Sequence, residues 1–126
     1  MTRRQLVLAV LLLAAPALAE IKIGVYSPFT GGAAGTGISM RNGVEMAAEE
    51  INKSGGILGQ QVVLVMRDDE AKNERGAQIM QEFLEKEKVI AVLGPTNTGV
   101  ADNSTRYAND KKVPVIINSS SGAKVN

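Results

Sequence analysis

Three runs of small hydroxyl, amide and glycine residues carry what chemistry this sequence offers. They are Tyr26-Ser27-Pro28-Phe29-Thr30 running on through glycines to Gly37, then Gly94-Pro95-Thr96-Asn97-Thr98-Gly99, then Asn118-Ser119-Ser120-Ser121-Gly122. Glycine lets a ligand approach the backbone, and hydroxyls donate to an anion. Thr98 opens a helical stretch, where a carboxylate or phosphate gains from free N–H groups and from the helix dipole, about 0.3 to 1 kcal/mol for the dipole at an exposed site. The same residue also reads as a plain N-cap. Ser119 and Ser121 alternate along an extended segment and so share one side, with Ser120 on the other; three serines in a row also read as a polar turn.

Other chemistries find little support. The sequence has no histidine and no cysteine, which removes the usual general base, the serine triad, thiolate nucleophiles, disulfides, and imidazole or thiolate metal sites. Asp68-Asp69-Glu70 could be read as a hard-metal site, but acidic residues ahead of a helix read first as solvated charges that stabilise its dipole. That loop has no glycine and would repel a carboxylate. The run from Gly31 to Gly37 fits neither the dinucleotide spacing nor a Gly-Lys-Ser/Thr phosphate loop. No metal, cofactor or catalytic group is expected.

The elements that must hold these loops follow from the apolar pattern. Residues 21–25, 62–66, 89–93 and 113–117 are short, apolar and β-branched, and near-continuous apolar runs of this kind suit strands covered on both faces. Between the first two, Met40, Val44, Ala47, Ala48 and Ile51 recur at helical spacing, and Gly55-Gly56 stop the helix. After a turn-like Arg67-Asp68-Asp69-Glu70, Asn73 is the expected N-cap of a second helix with Ala77, Met80 and Leu84 on one face, running to about Lys86. A third helix, residues 100–109, has an unusually polar face in Asp102, Asn103, Ser104 and Thr105. Alternating strands and helices imply right-handed parallel crossovers and an α/β fold with an open, doubly wound parallel sheet. In such sheets ligands sit beyond the carboxyl ends of the strands, the edge all three polar loops occupy. Tyr26, Phe29, Phe83 and Tyr107 are the whole aromatic set, so an aliphatic core is expected.

Residues 1–19 have the form of an export signal: Arg3-Arg4, an apolar run from Leu6 to Ala15, Pro16, and Ala17-Leu18-Ala19 as a small-x-small cleavage site, with cleavage expected after Ala19. The apolar run is shorter than the roughly 18 residues a bilayer-spanning helix needs. Two arginines suit either a Sec or a twin-arginine signal, with Sec the default. Without cysteine there is no lipoprotein anchor, so a free periplasmic product is expected. Removing Arg3 and Arg4 leaves twelve basic against thirteen acidic residues, a balance with no basic face for nucleic acid. The remaining 107 residues suffice for one small domain.

Five pieces in register resemble the periplasmic solute-binding proteins of branched-chain amino-acid ABC transporters, the leucine/isoleucine/valine-binding type. They are Ile21-Lys22-Ile23-Gly24-Val25 with Pro28-Phe29-Thr30-Gly31; Ala48-Glu49-Glu50-Ile51-Asn52 leading to Gly55-Gly56-Ile57-Leu58-Gly59; Asp68-Asp69; residues 89–94; and Val113-Pro114. The resemblance implies a type I periplasmic binding fold, two α/β lobes closing on a free amino acid, delivery to a membrane permease, and a monomer. By position, Thr98 corresponds to the carboxylate-binding hydroxyl, with Asn97 beside it. Ser119 corresponds to the residue whose carbonyl accepts from the ammonium, and Ser121 to its hydroxyl partner. Thr36 stands where relatives carry an aromatic that covers the ligand, and a threonine cannot shield an apolar side chain as a ring would. Such proteins run to some 350 residues, so residues 20–126 correspond to a partial first lobe, expected to bind ligand weakly or not at all alone. A sensing lobe of an amide or amino-acid receptor is the alternative. An exported flavodoxin-like enzyme would need a phosphate cradle or a catalytic base, and neither is visible.

Overall fold

A computed structural model describes residues 20–122; the export-signal expectation and residues 123–126 lie outside them. The apolar runs become four strands, β1 (Ile21–Ser27), β2 (Val62–Asp68), β3 (Ala91–Leu93) and β4 (Val115–Ile116). All pair in parallel, in the order β2-β1-β3-β4. Three helices connect them: α1 (Ala34–Lys53), α2 (Asn73–Glu82) and α3 (Thr98–Lys111).

Side chains alternate across β1, and the alternation assigns the helices to faces. Tyr26 packs with Ile79, Met80 and Phe83 beneath α2 and with Val100 and Ala108 of α3. Gly24, on the same side, has no room for more: a β-carbon there would meet the Phe83 ring at 2.6 Å. Ser27, on the opposite side, faces the first turn of α1, where a β-carbon on Gly37 would run into the Pro28 carbonyl and come within 3.2 Å of the Ser27 hydroxyl. Helices on both faces of one parallel sheet are what successive right-handed crossovers produce. Asn52 fastens the far end of α1 to β2, donating to the Val62 carbonyl and accepting from its N–H, both at 2.8 Å.

Several boundaries differ from those expected. Burial extends β1 through Tyr26 and Ser27, and pairing with β1 carries β2 through Arg67 and Asp68, so these four residues are strand and not loop or turn. Asn73 is the first helical residue and not the N-cap; Lys72 holds that position, and its side chain makes no capping hydrogen bond. The helix does continue past Lys86, but residues Phe83–Glu87 widen into a π-helical turn closed by Lys88 in the left-handed region at φ 56°. The strand expected at 89–93 is paired only over Ala91–Leu93, and that at 113–117 only over Val115–Ile116. Nor is the core purely aliphatic, since Tyr26 and Phe83 are its largest fully buried side chains, meeting edge to face at 6.0 Å.

The polar face expected of α3 has a buried member. Ser104 lies between Tyr26 and the Val100 carbonyl, at 2.6 and 2.7 Å. Its single proton goes to the carbonyl, so the tyrosine hydroxyl donates to Ser104. Burial pushes the Tyr26 phenol far above its ordinary range.

Candidate functional site

The carboxyl ends of β1, β3 and β4 bring the three polar loops together, and hydrogen bonds join them into one rim. The Ser27 hydroxyl, at the end of β1, lies 2.8 Å from that of Thr96 after β3. The Ser119 hydroxyl donates to the Thr96 carbonyl at 3.1 Å and the Ser120 hydroxyl to the Pro95 carbonyl at 3.4 Å. The Ser121 N–H donates to the Thr98 hydroxyl oxygen at 3.3 Å. These bonds hold the last loop against the second across 23 to 25 residues of sequence.

Each expected site residue has a definite place. Thr98 is half-buried at the first position of α3; its oxygen accepts from Ser121, which leaves its own proton to donate outward. Asn97 is the N-cap, its Oδ1 accepting from the N–H groups of Gly99 at 3.0 Å and Val100 at 3.4 Å. The N-cap reading of Thr98 therefore passes to Asn97, and two of the N–H groups expected to face an anion are already satisfied. Ser119 and Ser121 are exposed and Ser120 half-buried, in keeping with alternation. Thr36 is exposed on the first turn of α1, one residue before the contact of Gly37 with Pro28.

Three residues hold the rim in roles that the sequence pattern does not predict. Ser27 and Thr96 are the pins between loops, and their signal was slight, a hydroxyl at each of two strand ends. Asp68 is the third. Its carboxylate accepts from the Phe29 N–H at 2.9 Å, the Thr30 hydroxyl at 2.6 Å and the Glu70 N–H at 2.9 Å, so it moors the first loop to β2. Burial alone would raise the Asp68 carboxyl, but the Thr30 hydroxyl, the two amides and nearby Arg75 together bring it below the ordinary aspartate value. Asp69 is not the solvated charge expected ahead of a helix. It is fully buried, and burial raises its carboxyl despite the N–H of Ala71 at 2.8 Å. Among the described residues no group of three or more acidic side chains is arranged to hold a metal ion.

An open parallel sheet with small polar loops gathered at its carboxyl edge is the architecture of a ligand-binding lobe. Residues 20–126 match the family described as periplasmic binding protein, and the chain belongs to that family. It is 40% identical over 83 residues to the Leu/Ile/Val-binding protein BraC3 of Rhizobium johnstonii, a stretch covering 66% of this chain and 22% of that one. Among solved structures, it is similar to the branched-chain amino acid transporter substrate binding protein LivJ from Streptococcus pneumoniae, in complex with isoleucine. The TM-score is 0.81 at 30% identity, over 85% of this chain and 31% of that one. A second is a solute binding protein of an ABC transporter from Rhodopseudomonas palustris BisB5, in complex with 3,4-dihydroxy benzoic acid. There the TM-score is 0.75 at 27% identity, over 84% and 29% of the two chains. The chain thus spans about a quarter of the length of the curated relatives it matches.

Proposed function

We propose that this chain forms the ligand-facing part of the first lobe of an extracytoplasmic solute-binding protein, which delivers a small amino acid of the branched-chain type, or a related carboxylate, to an ABC permease. The observation that carries the reading is the hydrogen-bonded rim, in which Thr98 is held by Ser121 with a proton left to donate. A carboxylate is the natural partner for that donor. It is also common to the two ligands named for the similar solved structures, isoleucine and 3,4-dihydroxy benzoic acid. The Ser119 carbonyl takes the ammonium in this reading, the Ser121 hydroxyl supports it, and Thr36 lies over the ligand without the cover a ring would give. Asn97 acts by fixing the start of α3. Residues 1–19 direct export and are removed after Ala19, and the product works in the periplasm as a monomer. No step in this function needs a catalytic group.

Calorimetry of the intact protein against leucine, isoleucine, valine and benzoate tests it. Binding of at least one of the four is expected. Failure of all of them to bind would reject the carboxylate-delivery reading.

A further inference from the structure

Asp68 and Asp69 are adjacent in sequence and oppositely served by their surroundings. Asp68 receives three donors, from Phe29, Thr30 and Glu70. Asp69 is fully buried and receives one, from Ala71, while its Oδ2 has no hydrogen-bond partner among the described residues. A buried carboxylate with an unserved oxygen pays for desolvation without return, whereas the protonated acid carries less charge into the same space. The groups facing Asp69 do little to neutralise it. Asp68 repels it from β2, and the buried phenol of Tyr26 on β1 is itself raised by Asp69. Arg75 on α2 attracts it, but that guanidinium is exposed and shared, with its Nε 2.7 Å from the Asp68 carbonyl and 3.4 Å from Glu70. Lys72 is taken by Glu70.

We propose that the two aspartates form a pH-sensitive device at the β2–α2 turn, in which the folded state is favoured by one negative charge held on Asp68 and a proton held on Asp69. The signs follow from linkage. The carboxyl of Asp69 is raised on folding, so its contribution is fully present below the ordinary aspartate value of about 3.9 and is lost as the pH rises through its folded value. That of Asp68 is lowered, so its contribution is present above about 3.9 and is lost as the pH falls through its folded value. Two opposed slopes give a stability maximum in the acidic range and a decline towards neutrality. This inference does not depend on the identity of any ligand.

The test is urea unfolding of the intact protein and of its Asp69→Asn variant across acidic to neutral pH, together with carbon NMR titration of the aspartate carboxyls in the wild type. The unfolding constant of the wild type is expected to rise as the pH is raised towards 7, and Asp69→Asn to lose that slope. The Asp69 carboxyl is expected to titrate above the ordinary aspartate range and that of Asp68 below it. An Asp69→Asn variant that keeps the wild-type slope overturns the proposal. So does an Asp69 carboxyl that titrates at or below the ordinary value, a readout that stands even where the variant does not fold.

Discussion

At the scale of single residues, the proposed function puts its weight on the half-buried hydroxyl of Thr98. Replacing it with valine keeps the shape and removes both the proposed donor to a ligand and the acceptor of the Ser121 N–H. Thr98→Val in the intact protein should weaken binding by about 1 to 3 kcal/mol, the cost of leaving a buried polar partner unmatched. Calorimetry with the best ligand measures this, and unchanged affinity would remove Thr98 from the site. Asp68 gives a second prediction of definite sign. Because its ionised carboxylate moors Phe29 and Thr30, and because its carboxyl is lowered, the mooring persists at neutral pH and fails as acid protonates it. Asp68→Asn should therefore blunt the acid-side loss of stability in urea unfolding; a variant as acid-sensitive as the wild type would show that the mooring lies elsewhere. The polarity of these residues was plain in the sequence. Their pairing was not, because hydrogen bonds between strand-end loops depend on strand order, which no local pattern encodes.

The elements were legible wherever hydrophobic period decided them. Met80 and Leu84 mark the buried side of α2 and of the π-helical turn that continues it, and all four strands lie within or across the apolar runs expected. Boundaries were missed where tertiary contacts override local signals. Tyr26 reads as the start of a loop because a proline follows two residues later, yet its ring is buried against Phe83 and its hydroxyl against Ser104. Asn73 looked like a cap, whereas the residue that does cap a helix by its side chain is Asn97, hidden inside a loop rich in such residues. Removing that cap by Asn97→Ala should cost about 1 kcal/mol of stability, read as a lowered urea midpoint. Gly24→Ala places a methyl where the Phe83 ring lies and should cost about 1 to 3 kcal/mol by overpacking. A midpoint equal to that of the wild type would mean that the ring can withdraw at no cost.

Over the whole molecule, the two faces of the sheet are unequally covered. Beneath α2 and α3 lies the closed core, while on the α1 side Met40, Val44 and Ala47 face Leu93 and Ile116 across an open cleft of about 320 Å³. Of the five helical positions predicted for α1 only Ala48 is buried, and Ile51 remains 38% exposed. The period was read correctly, but its extent of burial depends on what else lies against that face. The rim is similarly open, with Thr36, Ser119 and Ser121 exposed. Residues 20–126 alone should for that reason bind amino acids at most weakly, since so open a rim neither excludes water nor surrounds a ligand. Micromolar binding by that segment in calorimetry would contradict this.

A crystal structure of the intact protein with a carboxylate ligand bound tests the proposed site most directly. The ligand carboxylate should lie within hydrogen-bonding distance, about 2.5 to 3.0 Å, of the Thr98 hydroxyl, with the loops after β1, β3 and β4 still joined around it. A ligand seated away from that rim, with Thr98 facing only protein, would contradict it.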